Sequence, residues 1–419
     1  MLTAILPRSH RGRVLAAGAL LDSAATGLYL AVATLYFVGY VGIAARSVGV
    51  ALGLANVCGL LVPMPVARLT RRLGIGRVYI GLLVLRGVGM AGYVLVHGYW
   101  RYLVVTCFFT AASRAGLPLL QVLVGQLAGE EDDRTRTMAS LRTVNNIGLS
   151  AGFIMAAGAQ LLHSGVAYRV LFALGGLAFV AVSMVTATAI RGVGSATLPA
   201  AKRARRPRTV YTDRRFITVA AANSVLLLHD SMLFILIPLW VVQRCGLSPT
   251  VSSSLLVLNT VITVLLQVRA ARYAKGARAT LRLLRWAVVA LAASSIFLGA
   301  AGHGSADWVL VILLAVAVIL LTVGENLQAV AGWELSFLMS DPDQRPQYLS
   351  LFSLGYSGQL VVGPVLMTAV VLPWGIPGLL LMTFLFVLAA AVTSMAAAGY
   401  PADREEGQAA AENEEEVRT

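Results

Sequence analysis

Two aspartates lie in the middle of long apolar stretches, and a serine follows each of them. They form the pairs Asp22-Ser23 and Asp230-Ser231. A carboxylate near the centre of a membrane helix costs about 2.5–3.5 kcal/mol on insertion scales, so an intramembrane acid marks an ion or substrate pathway. Because the two pairs stand about half a chain apart, they indicate a duplicated membrane protein with a polar site between its halves.

Twelve apolar segments are long enough to cross a bilayer core, which needs about 20 residues in a helix. Hydrophobic residues make up 58% of the 419 residues and charged residues only 12%. We therefore predict an all-α integral membrane protein of twelve transmembrane helices in two pseudo-symmetric six-helix bundles. The predicted segments are 14–38, 47–67, 78–97, 101–125, 143–163, 168–190, 216–242, 249–268, 284–302, 307–330, 347–371 and 376–398.

The composition between and after these segments suggests four parts. Residues 1–190 form the first six-helix bundle, and residues 216–398 form the second. The stretch 191–215 is basic, contains two prolines and has no apolar period, so we predict a cytoplasmic linker. The acidic tail, 399–419, has the composition of a solvated, disordered segment.

The net charge of +14 reflects membrane orientation and not a nucleic-acid partner. Almost every base falls in the predicted cytoplasmic segments, which is the positive-inside pattern. We therefore expect a multi-pass protein of the inner (cytoplasmic) membrane with both termini in the cytoplasm. Its three cysteines indicate no disulfide framework, and its arginine-rich, lysine-poor composition is typical of a high-GC, actinobacterial source. The bases outside those segments are Arg46, Arg86, Arg101, Arg114, Arg169 and Arg244.

Ionisable side chains deep in the spans must pair with one another or line a wet cavity. We predict that Arg114 in the fourth span faces Asp22 in the first. We also predict that Glu325 in the tenth span, or His229, influences Asp230 in the seventh. A nearby arginine favours a charged carboxylate and burial favours a neutral acid, so such a site can take up and release protons. A static ion pair is the alternative for Arg114, and a packed, satisfied side chain is the alternative for His229.

Other polar residues in or near the spans have less specific interpretations. Arg86 is expected to reach a membrane surface or to pair structurally. The acidic run 130–133 is followed at once by arginines, so a solvated loop is favoured over a magnesium site, and we expect no metal and no cofactor. Five amides are candidates for lining a substrate cavity, with hydrogen bonding between helices as the alternative. They are Asn56, Asn223, Asn259, Asn326 and Gln359.

Glycines recur in the fifth and eleventh spans, which are equivalent in a two-fold repeat. Gly148 and Gly152 lie in the fifth, and Gly355, Gly358 and Gly363 lie in the eleventh. Small residues let helix backbones approach closely in a membrane. These glycines therefore serve packing alone, or they form a flexing seam between the halves.

The loop after the second span carries the motif that suggests a family. It reads ARLTRRLGIGR, in which Arg72, Gly74 and Arg77 match a Gly-x-x-x-Asp-Arg-x-Gly pattern with following bases. Ala67 and Arg71 stand where that pattern has glycine and aspartate. The loop resembles the gating loop of the major facilitator superfamily, and specifically of its drug:proton antiporter-type multidrug efflux branch. The resemblance covers about residues 14–398.

This resemblance implies roles for several residues. Arg114, in SRAGLP, is similar to a fourth-span arginine associated with proton coupling, and Asp341 or Asp343 stands in for the missing acid of the gating loop. The fifth span lacks the Gly-Pro of the antiporter motif. The eleventh-span stretch 348–366 and the TDRRF before the seventh span resemble bacterial efflux members of the superfamily.

We therefore expect a monomeric secondary transporter in the lipid bilayer that exports a small apolar or cationic compound in exchange for protons. Asp22 is its expected proton acceptor with Arg114 modulating it, and Asp230 with Glu325 forms a second acid site. Proton-coupled uptake of a small nutrient is the alternative of the same class. A membrane-embedded transferase and a non-transporting sensor or lipid-handling protein are alternatives of other classes.

Overall fold

The structure is a computed structural model that describes residues 10–127, 131–190, 211–270, 277–302, 306–340 and 344–398. All regular structure in these ranges is helical. This is expected of long apolar segments, since a helix satisfies every backbone polar group internally where no water is available. The linker prediction falls largely outside the described residues, as do the acidic tail, Glu130, Asp341 and Asp343.

The first half of the chain contains seven α-helices within the described ranges. They are α1 His10–Gly39, α2 Ala45–Leu61, α3 Pro63–Leu73, α4 Ile75–Gly92, α5 Tyr99–Leu127, α6 Glu131–Gln160 and α7 Gly165–Ile190. One 3₁₀ turn, Tyr93–Leu95, extends α4.

The second half is similar but contains two π-helical segments. Its described α-helices are α8 Arg214–Leu226, α9 His229–Ser231, α10 Ile237–Gln243, α11 Pro249–Ala270, α12 Ala277–Ala301, α13 Asp307–Leu338, α14 Arg345–Leu366, α15 Leu372–Trp374 and α16 Ile376–Ala397. The π-helical segments are Met232–Leu236, between α9 and α10, and Met367–Val371, between α14 and α15.

Each of the twelve predicted segments falls on a helix. In the described ranges ten helices are long and apolar enough to cross a membrane. The pair α2–α3, bent by 41° at Val62 and Pro63, provides an eleventh span. The remaining predicted segment, 143–163, lies mainly in α6, which is not among these eleven.

The helix contacts repeat between the two halves. In the first half, α1 packs on α6 and α7, α4 packs on α5 and α7, and α2 packs on α5. In the second half, α8 packs on α14 and α16, α12 packs on α13 and α16, and α11 packs on α13. The same five pairings therefore occur twice, as the duplicated aspartate-serine pairs predict.

The two serines of the repeat make equivalent contacts. Ser23 on α1 donates to Oδ1 of Asn145 on α6 at 2.7 Å. Ser231 on α9 accepts from Nε2 of Gln359 on α14 at 2.8 Å. Because α6 and α14 occupy the same position in the two halves, each serine fixes its aspartate-bearing helix to the equivalent neighbour.

The glycines expected at a seam between the halves lie elsewhere. A Cβ at Gly148 would come within 2.6 Å of the Leu20 carbonyl oxygen, and one at Gly355 within 3.1 Å of the Ala220 carbonyl oxygen. Gly152 and Gly363 likewise pack on α1 and α9, whereas Gly358 has no neighbour within 4 Å of a built Cβ. For the four glycines with close neighbours the packing interpretation is confirmed and the seam interpretation is wrong, because their close approaches are within each half.

The halves meet through α2 on α14 and α6 on α11. A Cβ at Gly49 would lie 2.6 Å from the Pro364 carbonyl oxygen, and one at Gly53 2.8 Å from the Val361 carbonyl oxygen. On the other side Ser253 donates to Oε1 of Gln160 at 2.7 Å. These contacts lie near one end of the molecule, where α1 ends and α2 begins. We call it the outer end because the arginine distribution predicts that it faces outward.

Candidate functional site

A cavity of about 420 Å³ lies between the two halves. Helices α1, α2, α4 and α5 line one side, and α9, the adjoining π-helical segment and α14 line the other. Its polar lining residues include Asp22, Thr26, Asn56, Arg86, Thr110, Ser113, Arg114, Asp230, Ser231 and Gln359. Its aromatic lining residues are Tyr29, Tyr79, Tyr102, Phe109, Phe234 and Tyr356.

Asp22 forms an ion pair with Arg86 of α4. Nη1 of Arg86 lies 2.5 Å from Oδ1 of Asp22. The Arg86 side chain is 13% exposed, and the Asp22 side chain is 27% exposed. Nη2 of Arg86 also donates to Oγ1 of Thr26 at 3.4 Å, and the guanidinium lies 4.2 Å from the ring centroid of Phe179. Arg86 therefore joins α1, α4 and α7, and the carboxylate is held at the cavity wall.

The predicted pairing of Asp22 with Arg114 is wrong. Nη2 of Arg114 instead donates to Oδ1 of Asn56 at 3.3 Å. The guanidinium also lies 5.7 Å from the ring centroid of Tyr356, across the cavity on α14. Arg86 takes the carboxylate because α4 presents it directly to α1, whereas α5 presents Arg114 to α2 and the second half.

Asp230 lies beside His229 at the opposite wall. Nε2 of Gln328 donates to Oδ1 of Asn223 at 2.7 Å, so Oε1 of Gln328 faces Nε2 of His229, 3.2 Å away. That nitrogen must then carry a proton and donate. Nδ1 of His229 lies 3.3 Å from Oδ1 of Asp230. The two groups form an ion pair when the imidazole is protonated.

Glu325 lies on α13 and is not among the residues that line the cavity. Its Oε2 accepts from Nδ2 of Asn259 on α11 at 3.1 Å, and the same amide group lies 2.9 Å from Oγ1 of Thr322. Glu325 is therefore not a lining residue in this conformation, but it lies close enough to His229 and Asp230 to interact electrostatically with both, as predicted for Asp230.

The five candidate amides fall into two groups. Asn56 and Gln359 line the cavity, as predicted, whereas Asn223, Asn259 and Asn326 do not. Asn223 and Asn259 bond to neighbouring helices as described above, and Asn326 donates to Oγ1 of Thr263 at 3.4 Å. The prediction of a cavity position is wrong for these three, because each turns toward a neighbouring helix of the second half.

Comparison with known proteins decides the family. The sequence model described as Major Facilitator Superfamily matches residues 15–331, which is most of the chain. The chain belongs to the Major Facilitator Superfamily. No curated protein sequence matches it significantly.

Solved structures share the major facilitator fold over nearly the whole chain. A peptide transporter POT in complex with sulfate aligns with a TM-score of 0.73 at 14% identity, covering 95% of this chain and 97% of that one. A bacterial homologue of the iron transporter ferroportin, in an inward-facing state, aligns with a TM-score of 0.72 at 14% identity, covering 93% of this chain and 100% of that one. The nucleoside transporter NupG aligns with a TM-score of 0.69 at 13% identity, covering 94% of this chain and 99% of that one. These likenesses show the fold, and membership of the Major Facilitator Superfamily identifies the chain as a transporter of the secondary kind.

The stretch that resembles the superfamily's gating loop covers the end of α3, Gly74 and the start of α4. Gly74 adopts φ +84°, a backbone conformation that favours glycine, and its N–H donates to the Thr70 carbonyl oxygen at 2.9 Å. Arg72, in the last turn of α3, and Arg77, in the first turn of α4, are exposed. Neither forms an ion pair within the described ranges, and the proposed acids Asp341 and Asp343 fall outside them.

The aromatic lining of this superfamily member was not predicted, although the sequence carries a signal for it. Asp22, Thr26, Tyr29 and Ala33 recur at helical spacing on α1, and all four line the cavity. Residues three or four positions apart share one face of a helix. Extending that face from Asp22 along α1 therefore finds Tyr29, and extending it from Gln359 along α14 finds Tyr356.

Proposed function

We propose that this chain is a monomeric proton-coupled exporter of the cytoplasmic membrane, with both termini in the cytoplasm. It exchanges a small, largely apolar compound for protons, and Asp22 is the main proton-accepting site. The observation that carries this proposal is the position of Asp22, a partly exposed carboxylate at the cavity wall, held by an arginine of another helix.

The ion pair supplies a physical link between proton binding and helix packing. When Asp22 binds a proton, the charge attraction to Arg86 is lost, and the guanidinium keeps only Thr26 and Phe179 as described partners. Any movement of α1 against α4 that weakens the pair favours the protonated acid, and by linkage protonation favours that movement. We assign to Arg86 the modulating role that the sequence suggested for Arg114.

We assign a second proton site to His229 and Asp230 at the opposite wall, because their facing atoms lie 3.3 Å apart and form an ion pair when the imidazole is protonated. Together with Asp22 this places one titratable site in each half of the repeat. One proton moving down a 100 mV potential releases about 2.3 kcal/mol. Full coupling of one such proton supports a gradient of about fiftyfold.

The closed outer end supports alternating access. The described approaches of α2 to α14 and of α6 to α11 involve glycine and the Ser253–Gln160 hydrogen bond, and no ion pair between the halves is found among the described residues. In this arrangement the substrate binds between the halves, and rocking of the halves exposes the cavity to each side in turn.

The test is accumulation in proteoliposomes under imposed pH gradients, with valinomycin and potassium clamping the membrane potential. Ethidium and dansyl-phenylalanine serve as parallel probes. A proton exchanger accumulates a probe when the lumen is acidic. Asp22→Asn is expected to abolish that accumulation but to retain counterflow of the probe, which is measured with no proton gradient. Asp307→Asn, at an exposed outer carboxylate, is the matched control.

Proton-coupled uptake is the second candidate, and the same assay separates it from export. A symporter accumulates the probe only when the external medium is the more acidic side, whatever the orientation of the protein. Gradient-driven accumulation that is unchanged in Asp22→Asn removes Asp22 from the mechanism, and accumulation of neither probe under either gradient contradicts the proposed function.

A further inference from the structure

Charge pairing around the cavity leaves one cation without a counterion. Asp22 is paired with Arg86, and Asp230 lies against His229, with Oδ1 of the acid 3.3 Å from Nδ1 of the imidazole. Arg114 lines the same cavity, and no carboxylate forms an ion pair with it anywhere in the described part of the chain. A guanidinium removed from bulk water attracts an anion more strongly than one at the surface does.

The contacts of Arg114 hold it in place without neutralising it. The Asn56 side chain is itself fixed, because its Nδ2 donates to the Leu52 carbonyl oxygen at 2.9 Å while its Oδ1 accepts from Arg114. Gly59 makes room for the arginine stem, since a Cβ there would lie 2.9 Å from Cγ of Arg114. Tyr356 lies against the guanidinium from the other half. Of five N–H donors, only one on Nη2 has a described hydrogen bond.

We propose that the transported compound carries a carboxylate that binds Arg114, on an aromatic or otherwise apolar framework. This inference rests on the proposed transport function and narrows its substrate class. A guanidinium and a carboxylate match in geometry and form paired charge-assisted hydrogen bonds. The Arg114 guanidinium, which has no carboxylate partner in the described ranges, suits one carboxylate, and Tyr29, Phe109 and Phe234 at the cavity wall suit an apolar body.

The same charge argues against a purely cationic substrate. A cation in this cavity meets the guanidinium of Arg114, which has no described ion-pair partner, while Asp22 is already paired with Arg86 and Asp230 lies against His229. A substrate anion also contacts both halves, because Arg114 belongs to α5 and the tyrosine beside it belongs to α14. Binding of the acid group therefore joins the two surfaces whose separation changes during transport.

The test is equilibrium binding to the purified protein in lipid nanodiscs, with no gradient present. Dansyl-phenylalanine, its carboxamide and ethidium are titrated by fluorescence, with empty nanodiscs subtracted. The acid and the amide differ only in charge at one group. Wild type is expected to bind the acid about tenfold or more tightly than the amide, the usual scale for a hydrogen bond to a charged group.

Variants of the protein assign that preference to one residue. Arg114→Gln is expected to remove it, and Arg114→Lys is expected to keep part of it. Arg101→Gln, at an exposed arginine on the same helix, should match wild type. The proposal is overturned if wild type binds the acid and the amide equally, binds ethidium more tightly than the acid, or binds no probe. It is also overturned if Arg114→Gln retains the preference for the acid. Proton-driven ethidium accumulation in that case leaves the exporter intact and rejects only the substrate class.

Discussion

Gly53 lies where α2 packs closely against α14 near the outer end, and replacing it with alanine tests how the outer end closes. The added Cβ would lie 2.8 Å from the Val361 carbonyl oxygen and 3.1 Å from Cγ2 of Val365. The first distance is about 0.6 Å below the 3.4 Å at which ordinary contact begins. Because the obstacle is a backbone atom, the two helices must separate to accommodate the methyl group.

The cost falls on the conformation with a closed outer end alone. Overpacking by one methyl group in a tight interface costs about 1–3 kcal/mol, which shifts the equilibrium toward the open outer end by about 5- to 140-fold. Gly358→Ala is the matched control, since its Cβ meets nothing within 4 Å and the gain in helix propensity is the same.

The assay is the distance between spin labels at Arg46→Cys and Trp374→Cys, two exposed outer positions in opposite halves, with the three native cysteines replaced by alanine. Gly53→Ala is expected to move the distance distribution to longer values, and Gly358→Ala is expected to leave it unchanged. A distribution for Gly53→Ala that matches the parent refutes the role assigned to this contact.

Two further predictions follow from the ion pair and from the loop after α10. Arg86→Gln leaves the Asp22 carboxylate without its counterion. Because both side chains are partly exposed, we expect the free energy of unfolding to fall by about 1–3 kcal/mol, less than for a fully buried pair. Adding Asp22→Asn should restore part of the lost stability, as measured by thermal unfolding of the purified protein in detergent. An Arg86→Gln single variant as stable as wild type contradicts the pairing. Burial raises the pKa of the Cys245 thiol to about 11, so in a Cys58→Ala/Cys107→Ala background its maleimide labelling should be slow at neutral pH and should accelerate as the pH rises toward that value. Labelling as fast as that of a free thiol at neutral pH excludes the burial.

The duplication and the twelve helical segments could be predicted because they depend on features that a sequence carries directly. Segment length and apolarity locate the helices, and the repeated aspartate-serine pairs align the halves. Asp22 and Asp230 both line the cavity, because a carboxylate this deep must avoid lipid.

The partner of Asp22 could not be predicted in the same way. Arg86 and Arg114 are both deep in their helices, and the choice between them depends on how α4 and α5 are rotated about their axes. The amides pose the same problem, since Asn56 faces the cavity whereas Asn259 faces Glu325. The helical face that begins at Asp22 does contain usable information, because it leads to Tyr29.

The π-helical segments had no signal in the apolar pattern. Each adds one residue to a helical turn, so the faces before and after it no longer align. One follows directly after Asp230-Ser231, and the other follows directly after α14, whose last turn contains Gly363 and Pro364. Both lie where the second half meets the first, a position that only the packed structure reveals.

The central claim is that Asp22 itself gains and loses a proton in the membrane. Infrared difference spectroscopy of the reconstituted protein tests it directly, by following the carbonyl stretch of protonated carboxyl groups as the pH is lowered. We predict a band in wild type that is absent in Asp22→Asn and altered in Arg86→Gln, with Asp307→Asn unchanged in that band. Identical spectra for wild type and Asp22→Asn across the titration contradict the account.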